Sequence, residues 1–106
     1  MPTYEEALDY LGIDYADDVV KNNVNRAMAA ARAALHGSVG EDVETLLPND
    51  ARVKELALIY TDDLYTNRGV SAKVSSATRQ LVHSMEWQLR LELRTLRAAA
   101  AEGVEA

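Results

Sequence analysis

The sequence predicts an all-α protein, a small bundle of about four helices in which the first is short and the last is long. Both prolines, Pro2 and Pro48, lie outside the periodic stretches. Within those stretches apolar residues recur at spacings of three and four, the period of an amphipathic helix. Each stretch is also bounded by capping residues or glycine. At 106 residues, 48% hydrophobic and 26% charged, the chain reads as a single domain over 1–106.

Thr3 and Glu6 have the spacing of a capping box and open a short helix, about Tyr4–Leu11, that Gly12 stops. Asp14, Asp17 and Asp18 gather before the second helix, where negative charge suits the helix dipole. That helix runs roughly Ala16–His36, with Gly37 as its end. Its apolar stripe is Val20, Val24, Ala27, Met28, Ala31 and Leu35. The alanines from Ala27 to Ala34 favour helix and let a neighbour approach closely. Residues 37–49 read as a loop pinned by Val43, Leu46 and Leu47.

Asn49 or Asp50 caps a third helix, about Ala51–Arg68, closed by Gly69. Its main stripe is Val53, Leu56, Ala57, Tyr60 and Leu64. Leu58 and Tyr65 form a second apolar edge, so this helix is either central in the bundle or shared with another subunit. After a linker at 70–75, Ser75 or Ser76 caps the longest helix, which runs to about Ala100 before a frayed tail at 101–106. Leu81, Val82, Met85, Leu89, Leu93 and Leu96 make its core stripe. At roughly 100° per residue, Trp87 lies on the other side, with Leu91 and Arg94 beside it and His83, Arg90 and Arg97 along one border. Trp and Arg are frequent anchors of protein interfaces. The alternative is that Trp87 covers a neighbouring helix of its own chain.

Charge is divided unevenly. Lys and Arg number 11 against 17 Asp and Glu, a net charge of −6. Residues 1–50 carry ten acids and three bases, net −7, while residues 51–106 carry seven acids and eight bases, net +1. The division is either an accident of solvated helix faces or a means of docking one copy against the next.

The residue types point away from catalysis. There is no Cys, so disulfides, thiolate metal sites and cysteine nucleophiles are excluded. His36 and His83 have no partner His at helical spacing, and His36 sits where a helix dipole would favour it. Asp17-Asp18 and Asp62-Asp63 are adjacent on helices, so each pair diverges by about 100° instead of sharing an ion. Gly37-Ser38-Val39-Gly40 lacks the Lys-Ser/Thr of a phosphate loop. Ser75, Ser76 and Ser84 have no visible base and orienting group. No enzymatic activity, cofactor or metal is therefore expected. Arg79, Arg90, Arg94 and Arg97 form a basic edge, but Glu86 and Glu92 interleave and no helix-turn-helix spacing is present. A small helical DNA-binding regulator and a generic oligomeric helical scaffold are the alternative functions. No leader or membrane-spanning segment is evident, which suggests a soluble, cytoplasmic chain.

Several short elements occur in a familiar order. Thr3-Tyr4-Glu5-Glu6-Ala7 leads to Leu11-Gly12-Ile13-Asp14, and the alanine-rich helix follows. Leu64-Tyr65-Thr66-Asn67-Arg68 ends the third helix, and Gln88-Leu89-Arg90 lies late in the last one. Over about residues 3–97 the chain resembles the small helical head-to-tail connector (adaptor) proteins of tailed phages, the QLRG type of DNA-packaging protein. Leu91 stands where that family carries glycine, and Gly69 where a charged residue often follows Asn-Arg.

The resemblance implies a non-enzymatic virion protein of a phage, prophage or gene-transfer agent. Such a protein sits at the head–tail junction and is assembled in the bacterial cytoplasm. It would form a ring, typically dodecameric, under the portal protein, extend the channel for packaged DNA, and present a surface to a stopper or tail-completion protein. Leu58, Tyr65, Asn67, Arg68, Trp87, Gln88, Arg90, Leu91, Arg94 and Arg97 are the candidate subunit or portal contacts.

Overall fold

The computed structural model describes residues 1–66 and 76–103. In chain order the helices are α1 (Tyr4–Leu11), α2 (Asp18–Ser38), α3 (Val43–Leu46), α4 (Ala51–Thr66) and α5 (Ser76–Gly103), with no strand among the described residues. The all-α bundle, with a short first helix and a long last one, is the architecture expected from the periodicity.

Local chemistry sets the boundaries. The Thr3 hydroxyl accepts the Glu6 N–H at 3.1 Å while the Glu6 carboxylate accepts the Thr3 N–H at 3.0 Å, a complete capping box. Gly12 closes α1 in the left-handed region at φ 73°. Asp17 caps α2, its Oδ1 accepting the Val20 N–H at 2.8 Å, so that helix begins at Asp18, later than Ala16. Asp50 does the same for α4, accepting the Arg52 N–H at 2.8 Å.

Gly37 does not end α2. The helix passes through it to Ser38, and the chain turns at Gly40, where φ is 155°. There a Cβ would fall 2.5 Å from Arg97 Nη2 and 3.1 Å from Leu93 Cδ1. The expected loop at 37–49 therefore shrinks, and the one-turn α3 stands inside it, with Val43 fully buried. At the other end of the chain, α5 continues past Ala100 to Gly103, carried by its alanine run, so residues 101–103 are helical where fraying was expected. Asn67, Arg68, Gly69, the 70–75 linker, capping by Ser75 or Ser76, and residues 104–106 lie outside what the structure describes.

α2 and α4 form the central hairpin, and two apolar clusters sit along it. One joins the end of α2, α3, the start of α4 and the middle of α5 through Leu35, Val39, Val43, Val53, Leu56, Ala57, Leu89 and Leu93. The other joins α1, the start of α2 and the second half of α4 through Ala7, Val24 and Leu58, with Tyr4, Leu8, Ile13, Val20 and Tyr65 packed against it. Leu89 and Leu93 are fully buried, and full burial of a leucine is worth about 1.5–3 kcal/mol.

The second apolar edge of α4 is thus covered by α1 of the same chain. Leu58, a candidate subunit contact, is only 8% exposed and packs with Ala7 and Val24, which corrects that assignment. Tyr65 packs half-buried on the same cluster. Leu81, placed in the core stripe of the last helix, is 53% exposed, and Leu64 is also exposed.

Ion pairs tie the peripheral helices to the hairpin. Lys54 Nζ donates to Glu6 Oε2 at 2.9 Å and joins α4 to α1. Arg32 Nε donates to Glu44 Oε2 at 2.7 Å, and His36 Nε2 lies 2.5 Å from the same oxygen, joining α2 to α3. Arg52 holds Asp50 at 2.7 Å and also pairs with Glu92 of α5. The radius of gyration is 15.5 Å, above the roughly 13 Å of a globular chain this long. The 28 residues of α5 account for this, since at ~1.5 Å per residue they span about 42 Å.

Candidate interaction face

α5 turns one side inward and leaves the other uncovered. Val82, Met85, Glu86, Leu89, Glu92, Leu93 and Leu96 are buried or half-buried, whereas Ser84, Trp87, Gln88, Leu91, Arg94, Thr95 and Ala98 are exposed. The exposed residues recur at three and four, so they form one stripe along the outer side. Trp87 is 59% exposed and Leu91 43%. Among the described residues, Trp87 is therefore mostly open to solvent and is not covering a neighbouring helix.

Several candidate contacts converge here, and their surroundings differ. Arg90 stacks on Trp87, its guanidinium carbon 5.8 Å from the ring centroid, while its Nη1 donates to the Ser38 carbonyl at 3.1 Å. Gln88 Nε2 donates to Ser84 Oγ at 3.5 Å. Arg94 is exposed and makes no ion pair among the described residues.

Arg97 is not a free contact residue. It forms a forked pair with Asp42, Nε to Oδ2 at 2.7 Å and Nη2 to Oδ1 at 2.5 Å. The pair holds the Asp42 carboxyl below its ordinary value and the Arg97 guanidinium above its own. Its role is to clamp α5 to the entry of α3, which withdraws it from the outer face.

Beneath the face lies a polar cluster that sequence reasoning missed. Tyr60 donates its hydroxyl to Glu86 Oε2, Ser38 Oγ lies 3.2 Å from Tyr60 Oη, and His83 Nδ1 lies 3.4 Å from Glu86 Oε1. Burial first, and then the bond to Glu86, push the Tyr60 hydroxyl upward. The signal was available in the register: Glu86 lies four residues after Val82 and three before Leu89, on the core stripe. An acid there demands a partner.

Tyr10, Tyr15 and Val19 were also missed as exposed apolar residues. Tyr15 is 82% exposed and Val19 67%. They flank the α1–α2 corner with Asp14, Asp17 and Asp18, all exposed. The signal for Val19 was its position off the Val20–Val24–Ala27 stripe. Burial, then Glu55 and Asp62, raise the Tyr10 hydroxyl, so α4 adds negative charge beside this corner.

Among the described residues, no group of three or more acids or histidines gathers where it would hold a metal ion, and no helix is long and apolar enough to cross a membrane. No family model, curated protein or solved structure matches the chain.

Proposed function

We propose that the chain is a structural subunit of a tailed phage or prophage particle, a head-to-tail connector that forms a ring under the portal protein. In this role it extends the DNA channel and offers a docking surface to a stopper or tail-completion protein. The observation that carries the reading is the uncovered Trp87–Leu91–Arg94 stripe on a helix whose other side is already packed. A chain acting alone would gain by replacing an exposed tryptophan and leucine with polar residues. A chain that meets neighbours uses them as anchors.

The order of short elements from Thr3 to Arg90 supports the connector version over a generic oligomer. The net charge of −6 suits a conduit through which DNA must slide, because tight phosphate contacts would retard it.

The test is co-sedimentation with the portal protein encoded in the same genome. A connector co-migrates with the portal in fixed stoichiometry, and Trp87→Ala abolishes this without lowering helicity. A DNA-binding regulator instead leaves the portal alone and binds duplex DNA with a steep salt dependence.

A further inference from the structure

Among the described residues, two uncovered apolar patches have opposite electrostatic character. On α5, Trp87 and Leu91 are flanked by Arg90 and Arg94, and the acids of that helix nearby are occupied, Glu86 by Tyr60 and Glu92 by Arg52. At the α1–α2 corner, Tyr15 and Val19 stand among Asp14, Asp17 and Asp18.

The two patches belong to opposite ends of the central hairpin. α5 packs on the cluster built around Leu35, Val53 and Leu89, and the corner adjoins the cluster built around Ala7, Val24 and Leu58. Because α5 points Leu89 and Leu93 inward, its Trp87 stripe faces away from its own bundle. A two-fold contact of α5 with α5 would gather Arg90 and Arg94 of both copies on one interface, and corner against corner would gather both sets of aspartates. Like charges brought together oppose association, so self-pairing of either patch is disfavoured.

We infer that the Trp87–Leu91–Arg94 face of one copy docks on the Tyr15–Val19–Asp18 corner of a second copy of this chain. The pairing rests on the assembly reading above and deepens it by naming both surfaces. It is heterologous, so each copy keeps one free patch of each kind, and repetition closes a ring or extends a chain. Trp87 and Leu91 supply the apolar anchor. Arg94 faces Asp18 and Asp14 and sets the orientation.

Cysteine crosslinking tests this without background, because the native chain has no Cys. Tyr15→Cys and Leu91→Cys are made separately and together, their helicity and Tm checked, and each is treated with a short bis-maleimide, alone and with the portal protein. The expected result is a crosslinked dimer from the mixed single variants, none from either alone, and a ladder of multimers from the double variant. Arg94→Glu should lower the yield about tenfold or more, and Asp18→Arg in the partner copy should restore it. Equal crosslinking of Leu91→Cys with itself would overturn the pairing, as would no crosslink in any arm. Portal binding without the Tyr15–Leu91 crosslink would overturn the pairing and leave the connector reading standing. The crosslink without portal binding would do the reverse.

Discussion

Arg97 and Asp42 are 55 residues apart in sequence and meet through two parallel hydrogen bonds, of 2.7 and 2.5 Å. The pair closes over Gly40, whose missing side chain leaves room for the guanidinium. The contact ties α5 to the entry of α3 on the side of the helix that buries Leu93.

Gly40→Ala should destabilise the fold by about 1–3 kcal/mol, because a φ of 155° is unfavourable for an L side chain and the new methyl would meet Arg97 and Leu93. Urea titration followed by circular dichroism measures it. Arg97→Ala should produce a smaller change in Tm, since the pair is exposed, but faster amide exchange in α5 beyond Leu93.

The two sides of α5 should respond oppositely to truncation. Leu89→Ala and Leu93→Ala should each cost about 2–5 kcal/mol, because both side chains are fully buried. Trp87→Ala should change stability little and abolish association. Thermal melts paired with sedimentation velocity separate the two effects.

Tyr60→Phe should cost about 1–3 kcal/mol by leaving the buried Glu86 carboxylate without its hydroxyl donor. The wild type should also lose stability in strong alkali. Tyr60 is raised in the folded state, so the folded chain holds its proton longer than the unfolded chain does. That contribution is complete below the ordinary tyrosine value of 10.0 and disappears as pH rises through the folded value. Melts across the alkaline range should show the decline, and Tyr60→Phe should flatten it.

Acid should loosen the peripheral helices. Glu44 is held below its ordinary 4.5 chiefly by Arg32 and then His36, and Asp50 below its ordinary 3.8 by Arg52. A depressed carboxyl stabilises the fold above its unfolded value, and that stability is lost as pH falls through the folded value. Melts at pH below about 4 should therefore show falling Tm, with a shallower slope in Glu44→Gln.

Most of the fold was legible because its signals are local. Thr3 with Glu6, Gly12, and the stripes of α2 and α5 lie within a few residues of one another. What the sequence concealed depends on distance. Leu58 reads as surplus until α1 is placed over it. Arg97 reads as a free interface cation until the fold brings Asp42 to it from 55 residues earlier in the chain. Leu81 lies about 80° round the helix from Leu89, so it leaves the covered side while its neighbour Val82 still packs on the core. The outward face at Trp87 was legible because helical phase alone places it opposite Leu89. The corner at Tyr15 and Val19 was not, because no periodic stripe runs through it.

The most direct measurement is electron microscopy of this chain mixed with the portal protein of the same genome. The expected image is a portal with an added ring of density on its channel axis, one copy of the chain per portal subunit, absent when Trp87→Ala is used. Unchanged portal particles, with the chain remaining monomeric at the same concentration, would contradict the connector function.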